Sequence, residues 1–413
     1  MKILVLNSGS SSVKFQLIDV TNESVLAKGI VERIGSSDAI VNFEAKEKTK
    51  LREVREVPDH EEAISIVISL LLHPQHGVIR NKEEIQGIGH RVVHGGEAFY
   101  ESVLINEEVK SAIRKFIQFA PLHNPHNLKG IEACETLLPG IPQVAVFDTA
   151  FHHTIPPKAY LYGLPYTLYK KLGIRRYGFH GTSHRYVANK AAEFLGQPID
   201  TLKIITCHLG NGASITAVDK GKSVDTSMGF TPLEGLVMGT RCGDIDPALV
   251  PYIMEKENLT PAQIDALMNK SSGLLGLTGT TNDMREITAE AARGSQQHLL
   301  AIEIYCYRIR KYIGAYMAVL GGIDAIVFTG GIGENSVQVR AMSLEGLDAF
   351  GIVVDPEKNA RNEIEIGKGP VHILVIPTNE ELAIARDTAK ILAEYYAPSE
   401  VRVRKKQKVS TRN

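Results

Sequence analysis

Near the amino terminus the chain reads Ile3-Leu4-Val5-Leu6-Asn7-Ser8-Gly9-Ser10-Ser11-Ser12. The apolar part has the length of a β-strand, and a second strand-like run, Phe15-Gln16-Leu17-Ile18, begins after Lys14. This pattern predicts a hairpin whose turn consists of small hydroxyl and amide residues around Gly9. Such a turn presents backbone N–H groups and hydroxyls at one spot, and Lys14 adds positive charge, so it is suited to holding a phosphate. A polar hairpin tip that binds nothing is the alternative.

The same design of strand, turn and strand occurs again in the second half of the chain. A strand-like run at 202–207 ends in His208-Leu209-Gly210-Asn211-Gly212-Ala213-Ser214, and Ile215-Thr216-Ala217-Val218 returns. A third glycine-rich turn, Thr329-Gly330-Gly331-Ile332-Gly333-Glu334-Asn335, follows Ala325-Ile326-Val327-Phe328. Three such turns behind short β-branched runs suggest two related half-domains that grip a nucleotide between them.

Composition narrows the class of protein. The 413 residues are enough for two or three domains, and a hydrophobic content of 44% suits ordinary globular cores. A net charge of −1 argues against a dedicated nucleic-acid or membrane-surface protein. The four cysteines show no CxxC spacing, and the longest apolar run, 63–72, is too short to cross a bilayer. Because the chain begins directly with a strand, we expect no signal peptide and a soluble, cytoplasmic protein.

Mixed strands and helices indicate an α/β protein. We expect a first domain at 1–150, a second at 151–381, a helix at about 382–397 that returns to the first, and a disordered basic tail at 398–413. Periodicity predicts helices at 61–72 and 106–119. The segment 121–127 is expected to be a loop, because Pro125 disfavours a continuous helix there.

The common nucleotide fingerprints are absent from the sequence: there is no G-x-x-x-x-G-K-[ST], no G-x-G-x-x-G and no kinase catalytic loop. Phosphate binding must therefore rest on the hairpin turns. Arg91 interrupts an apolar run between glycines, so it either forms a structural ion pair or meets an anion. Asp148 ends a strand, where α/β active sites gather side chains, although it could also cap a helix or pair with a lysine.

Two further candidates stand in glycine-flanked loops. His180 lies between Gly178 and Gly181, and Arg241 lies between Gly239 and Gly243. Each could be a plain turn residue. Two arginines and a histidine beside phosphate-binding turns together suggest charge stabilisation of a phosphoryl group during transfer.

The end of the last strand-like run offers a metal site. Ile373-Leu374-Val375-Ile376 leads into Pro377-Thr378-Asn379-Glu380-Glu381. A carboxylate beside an amide at a strand end suits a Mg²⁺ ion that keeps several waters. A helix N-cap followed by acidic first-turn residues would look the same.

These motifs together resemble the acetate kinase family, a branch of the superfamily that also holds sugar kinases, actin and the 70-kDa heat-shock chaperones. The resemblance extends to about residue 397, and it rests on these segments: 7–12, 90–96, 147–152, 178–184, 208–212 and 328–335. It implies two duplicated actin-like (ribonuclease H-like) ATPase halves with the active site in the cleft between them.

The resemblance also implies an activity: reversible, direct in-line phosphoryl transfer from ATP to acetate, giving acetyl phosphate and ADP. Mg²⁺ would be required, with Mn²⁺ as an alternative ion. The family further implies a cytoplasmic homodimer that serves acetyl-CoA biosynthesis, without a nucleic-acid or membrane partner.

The residues that match the family's functional positions fall into four groups. The implied catalytic residues are Arg91, Asp148, His180 and Arg241. The implied acetate contacts are Arg91, Val93, Leu122, His123, Phe179 and Pro232. The implied nucleotide and phosphate contacts are Ser10, Ser12, Lys14, His208, Leu209, Gly210, Asn211, Gly212, Asp283, Met284, Arg285, Gly331, Ile332, Gly333, Glu334 and Asn335. The implied metal ligands are Asn7 and Glu380.

Two features depart from the family pattern: Cys242 follows Arg241 where a serine is usual, and the basic tail runs past the usual end. The resemblance also implies that Asp148 is the catalytic acid/base, and this role is open to a physical objection. A substrate carboxylate has a pKa of about 4 to 5, by analogy with Glu, so at neutral pH it needs no general base. We therefore expect Asp148 to orient Arg91, Arg241 or a Mg²⁺-bound water rather than to take a proton.

Two other functions are compatible with these residues. A kinase for propionate or another short-chain carboxylate would differ by a methylene or two, and such a difference amounts to only about 1–3 kcal/mol in binding. A nucleotide-gated binding protein like the chaperones would need a separate client-binding domain.

Overall fold

The computed structural model describes residues 1–46, 50–121 and 123–397, which form two compact α/β units. Unit 1 comprises Met1–Ala150 together with 379–397, and unit 2 comprises Phe151–Thr378. The last helix begins at Glu380 and not at about 382, because the side chain of Asn379 accepts a hydrogen bond from Leu382 N and caps it. Leu122 and the predicted basic tail lie outside the described residues.

The elements of unit 1 are given first. Its strands are β1 (Lys2–Ser8), β2 (Ser12–Asp19), β3 (Ser24–Glu32), β4 (Ser36–Ala45), β5 (Leu51–Val57), β6 (Gly87–Val92), β7 (Val103–Leu104) and β8 (Gln143–Phe147). Its first three α-helices are α1 (His60–Leu71), α2 (Glu107–Lys115) and α3 (Asn124–Leu137).

Unit 2 is continuous in sequence. Its strands are β9 (Lys203–Leu209), β10 (Ala213–Asp219), β11 (Lys222–Thr226), β12 (Ala325–Thr329) and β13 (His372–Val375). Its helices are α4 (Pro157–Tyr160), α5 (Tyr166–Leu172), α6 (Gly181–Leu195), α7 (Leu249–Lys256), α8 (Pro261–Lys270), α9 (Gly273–Thr278), α10 (Met284–Ala292), α11 (Gln296–Leu320), α12 (Gly330–Asn335), α13 (Val337–Leu344) and α14 (Pro356–Ala360). The chain then returns to unit 1 as α15 (Glu380–Tyr395).

The two sheets repeat one strand order. In unit 1 the order is β5-β4-β3-β2-β1-β6-β8-β7, and in unit 2 it is β11-β10-β9-β12-β13. Five successive strands correspond, because β1 and β9 each have an antiparallel hairpin partner on one side and a parallel strand on the other. This repetition confirms the predicted α/β fold of two actin-like halves.

Helix α15 covers the centre of the sheet in unit 1, where it packs against β1, β6 and β8. Its close approach requires glycine in β6. A Cβ added at Gly89 would lie 2.5 Å from Oγ1 of Thr388 and 2.6 Å from Cγ2 of Ile384. A separate apolar core includes Phe15 and Phe43, residues of α1 and α3, and other side chains of the central strands, among them Leu4 of β1 and Ile88 of β6.

Three local predictions differ from the structure. The segment 121–127 is not all loop, since α3 begins at Asn124; Pro125 occupies its first turn, where a missing N–H costs no helical hydrogen bond. The helix expected at 106–119 ends at Lys115 and continues as a 3₁₀ turn. The third glycine-rich segment forms the short helix α12 and not an open turn. No helix among the described residues combines the length and apolar character needed to cross a membrane.

One buried histidine of unit 1, His90, is expected to make its stability depend on pH. His90 is 2% exposed, and its Nε2 donates to Oε1 of Gln143 over 2.6 Å. Burial lowers the pKa of His90 to about 4, although the hydrogen bond to Gln143 acts in the opposite direction. In the unfolded chain the histidine has its ordinary pKa of about 6.5. Between pH 6.5 and pH 4 the unfolded chain therefore binds a proton at His90 that the folded chain does not bind.

We expect the free energy of unfolding to fall as the pH decreases from 6.5 to 4, with His90 contributing up to about 3 kcal/mol of that loss. In His90→Asn the loss should be smaller by up to that amount. Urea unfolding of the wild type and of His90→Asn between pH 6.5 and pH 4 tests this prediction. The carboxylates titrate equally in the two proteins, so their effect cancels in the difference between the two free energies of unfolding. His153→Asn, at an exposed histidine, should behave like the wild type. Parallel curves for the wild type and His90→Asn would contradict the prediction.

Candidate functional site

The β1–β2 turn has the compact geometry expected from its sequence. Gly9 N donates to Ser12 O over 2.8 Å, and Asn7 and Lys14 are opposite each other in the two strands. Ser10 is exposed at the tip, and Ser12 is partly buried. The Lys14 ammonium lies 2.5 Å from Oε1 of Glu381, so the turn and the start of α15 share an ion pair.

Arg91 lies in β6 and forms a two-pronged contact with Asp148, which follows β8. Its Nε donates to Oδ1 over 3.1 Å and its Nη2 to Oδ2 over 2.7 Å. The Asp148 side chain is 1% exposed, whereas Arg91 retains 22% of its exposure, and Glu380 Oε2 is 3.9 Å from Arg91 Nε. Arg91 therefore forms the ion pair that was one of its two predicted roles, and part of its guanidinium also stays accessible.

The carboxylates of this cluster affect one another. Burial, together with the charges of Asp148 and Glu381, raises the pKa of Glu380 to about 7, although Arg91 and Lys14 act in the opposite direction. Burial alone would lower the pKa of Arg91, but the charges of Asp148 and Glu380 raise it above its ordinary value. Three carboxylates thus share two cations here, so the cluster has a deficit of positive charge.

Of the predicted metal ligands, Asn7 is the second-last residue of β1 and Glu380 opens α15, and α15 packs against β1. Within the described ranges, no group of three or more His, Cys, Asp or Glu side chains is placed to hold a metal ion. Asn379 is the N-cap of α15, since its side-chain oxygen accepts a hydrogen bond from Leu382 N. The carboxylate of Glu380 does not cap the helix and lies beside Arg91.

In unit 2, His180 and Arg241 meet at Gly212. A Cβ at residue 212 would lie 3.3 Å from Cε1 and Nε2 of His180 and 3.5 Å from Nη1 of Arg241. The recorded partners of the Arg241 guanidinium are the carbonyl of Pro232 at 3.4 Å and the sulfur of Met238 at 3.7 Å. No carboxylate pairs with it in the part of the chain that the structure describes, and burial lowers its pKa. This is a cation whose charge is available to a ligand.

The histidine is held in a strained backbone conformation. His180 has φ of 56°, and its ring stacks on that of His208 at 4.3 Å. Nδ1 of His180 shares a 2.9 Å hydrogen bond with Oγ of Ser214, which is also 2.7 Å from Nε2 of the buried His184. Burial and the neighbouring imidazoles lower the pKa of His184 well below its usual value. The network fixes which edge of the His180 ring faces Arg241.

The loop that carries Arg241 is anchored by partly buried polar side chains. Asp244 accepts from Gly235 N and from the hydroxyl of Tyr312, over 2.8 and 2.6 Å. Arg176 donates to the carbonyl of Thr226 over 2.6 Å at the start of the loop. Cys242, which departs from the family pattern, donates its thiol to Gly243 O and fits without a disruption of the loop.

A cavity of about 1000 Å³ lies entirely within unit 2. It brings together eight of the residues predicted to contact the nucleotide: Gly210, Asn211, Asp283, Met284, Arg285, Gly331, Ile332 and Asn335. Its size suits a nucleoside phosphate. Arg285 pairs with Asp283 and is largely exposed, and the hydrogen bonds from Arg285 lower the pKa of Asp283 to about 2.

Five predicted nucleotide contacts of unit 2 do not line this cavity: His208, Leu209, Gly212, Gly333 and Glu334. Leu209 is fully buried, and the Glu334 carboxylate accepts from Gly330 N and Thr378 N over 2.9 and 3.1 Å. Glu334 therefore holds the backbone of α12 in place. Sequence reasoning also missed five lining residues: Asn282, Thr288, Ser336, Val337 and Gln338. Their only sequence signal is adjacency to predicted positions, or one helical turn in the case of Thr288.

The predicted acyl contacts are apolar side chains with little exposure. Val93 is 5% exposed in unit 1, and Phe179 is 2% exposed in unit 2, where Pro232 is partly buried. His123 precedes α3, and Leu122 is outside the described residues.

The repeated sheet, the cavity and the Arg241 guanidinium beside the His180 imidazole define a phosphotransferase of the actin-like class. A model of the acetokinase family matches residues 2–386. An acetate kinase from Methanosarcina acetivorans is 58% identical over 395 residues, which cover 95% of this chain and 97% of that protein. The crystal structure of Porphyromonas gingivalis acetate kinase matches with a TM-score of 0.91 and 47% identity, covering 95% of this chain and 99% of that one.

A propionate kinase from Francisella tularensis matches almost as well, with a TM-score of 0.90 and 46% identity, covering 94% of this chain and 99% of that one. The chain belongs to the acetokinase family. The predicted resemblance and the prediction of an enzyme that phosphorylates a carboxylate are thereby confirmed.

Gly212→Ala should reduce turnover about tenfold or more, because its Cβ would lie 3.3 Å from the His180 ring, which must then shift, and would fill space beside the Arg241 guanidinium. Steady-state kinetics measure the effect. Gly314→Ala is the matched control, since a Cβ there meets nothing within 4 Å and the residue lies on α11. Equal turnover in both variants would show that His180 and Arg241 do not act together.

Proposed function

We propose that this chain transfers the γ-phosphoryl group of ATP to acetate, giving acetyl phosphate and ADP, and catalyses the reverse reaction. The observation that carries the proposal is the meeting of His180 with an Arg241 guanidinium that has no carboxylate partner among the described residues. A phosphoryl group in transfer spreads negative charge over its oxygens, and fixed cationic donors stabilise that charge. The 1000 Å³ cavity of unit 2 would hold the nucleotide.

Arg91 would bind the acetate carboxylate through the accessible part of its guanidinium. Asp148 would hold Arg91 in place, since both of its oxygens already accept from that side chain. Acetate is ionised at neutral pH, so its oxygen can attack the phosphorus in line without a general base. Val93, Phe179 and Pro232 would exclude water from the methyl group.

Mg²⁺, or Mn²⁺ in its place, fits the donor set of unit 1. Asn7 and Glu380 would hold the ion, because oxygen donors are the ligands that these ions prefer and the carboxylate cluster lacks positive charge. The bound ion would neutralise phosphate oxygens. The turn at Ser10, Ser12 and Lys14 would contribute further phosphate contacts.

A kinase for propionate or another short-chain carboxylate is the second candidate, favoured by the similarity to the Francisella tularensis propionate kinase. The proposed acyl contacts cannot distinguish a single methylene strongly. A nucleotide-gated binding protein is disfavoured by membership in a family of kinases. The cytoplasmic location, the homodimer and a role in acetyl-CoA biosynthesis stay predictions.

Trapping with hydroxylamine tests the activity directly, because an acyl phosphate is converted to a hydroxamate. The purified chain with Mg-ATP should form hydroxamate with acetate at a higher kcat/KM than with propionate or butyrate. ATP hydrolysis without hydroxamate would contradict the kinase function, and a preference for propionate would favour the second candidate. Omission of the metal should abolish the product.

Arg91→Ala should lower kcat about 10³-fold and raise the Michaelis constant for acetate, because substrate charge loses its partner. Asp148→Asn should also lower kcat, since the orienting ion pair is lost. Raising the pH should not restore its activity, because no proton transfer is involved. Circular dichroism verifies folding. Rescue of Asp148→Asn at high pH would contradict the orienting role, and full activity would make Asp148 dispensable.

A further inference from the structure

The amide of Asn127 connects two segments of unit 1 that end in proposed site residues. It lies near the start of α3 and is 2% exposed. Its Nδ2 donates to the carbonyl of Ser8 over 2.8 Å, and its Oδ1 accepts from Val93 N over 3.1 Å. One side chain thus bridges the end of β1, next to Asn7, and the end of β6, next to Arg91.

Other contacts fix α3 against the same two segments. Asn124, three residues earlier and on the same helix face, accepts from His94 N and donates to His94 O, over 3.2 and 3.0 Å. A Cβ at Gly130 would overlap the Ser8 hydroxyl, so glycine lets the helix approach the turn. From α1, His60 donates its Nε2 to Gly9 O over 2.7 Å. Helix α3 is therefore built to fit the turn closely.

Asn127 bonds the carbonyl of Ser8 and the N–H of Val93, which lie beyond the last pair of the parallel ladder between β1 and β6, Leu6 and His90. Buried backbone groups need hydrogen-bond partners, and here the side chain of Asn127 supplies them in place of strand pairing. Its two hydrogen bonds also fix the separation of the two strand ends beyond the last ladder pair. A shift of about 1 Å in such a separation is enough to lower catalytic rates a hundredfold.

We propose that Asn127 is a positioning residue that sets the Asn7 turn relative to the Arg91 strand end, and thereby aligns the carboxylate substrate with the phosphoryl group. This proposal rests on the proposed function. Asn127 acts through Ser8 and Val93 and touches no substrate.

The test uses two variants of the full chain. Asn127→Ala removes both hydrogen bonds and should lower kcat between about ten- and a hundredfold at every pH. Asn127→Asp can keep both bonds only while its carboxyl is protonated, since the acid then donates to Ser8 O and accepts from Val93 N. Burial raises the pKa of such a carboxyl. The kcat of this variant, relative to wild type, should therefore be highest at low pH and decline as the pH rises.

The nearby titratable groups His60, His94 and His126 are common to all the proteins, so the ratio to wild type cancels their effect. Asn189→Ala and Asn189→Asp, at an exposed position on α6, are the matched controls and should follow the wild type. The Michaelis constant for ATP should change by a smaller factor than kcat, because most of the proposed nucleotide contacts lie in unit 2. Amide exchange at Val93 should be faster in Asn127→Ala.

Wild-type kcat in both Asn127 variants would overturn the proposal. So would an equal loss in both variants at all pH values in step with their unfolding, because that is the signature of a purely structural residue. A wild-type chain without acetate-dependent turnover would instead overturn the proposed function itself, so the two failures are distinguishable.

Discussion

The largely buried arginine near the end of the central strand β6 is the constraint from which the organisation of unit 1 follows. The guanidinium of Arg91 must be paired, because an unpaired charge that has lost most of its water is costly. Asp148 meets this need only because β6 and β8 run parallel, so that both residues reach the same edge of the sheet. Helix α15 then brings Glu380 to that edge, and the glycines of β6 make room for the helix. Sheet order, glycine placement and charge pairing are thus interdependent.

Unit 2 repeats the strand arrangement, but the arginine of its proposed site is not neutralised. Arg241 has no carboxylate partner within the described residues, and a cation in that state is stabilised when an anion binds. Its loop must therefore be rigid without help from an ion pair at its tip. Asp244 and Arg176 provide that rigidity through backbone hydrogen bonds. The two proposed site arginines thus differ: Arg91 is paired with a carboxylate, whereas Arg241 is not, among the residues that the structure describes.

The sequence was sufficient for the class of fold, the two strand–turn–strand motifs and the grouping of eight predicted residues around the cavity of unit 2, because strand periodicity and glycine-rich turns are local signals. It failed where long-range packing decides. Pro125 was predicted to prevent a helix, but it lies in the first turn of α3, where proline is tolerated. For Glu334, which stays a predicted nucleotide contact, the structure adds a role that the sequence did not indicate: its carboxylate accepts a hydrogen bond from the backbone at the start of α12. The contact between Arg91 and Glu380 and the role of Asn127 depend on residues dozens of positions away, which no local pattern reveals.

The return of α15 to unit 1 has a consequence for synthesis on the ribosome. Domains generally fold as units, with amino-terminal ones first. Here the strands of the first unit emerge early, but the helix that covers β6 is more than two hundred residues behind them, after the whole of Phe151–Thr378. The inserted unit is contiguous and has every element it needs before that helix appears. The growing chain should thus carry an exposed apolar sheet face until its final segment emerges, which is a window for chaperone binding.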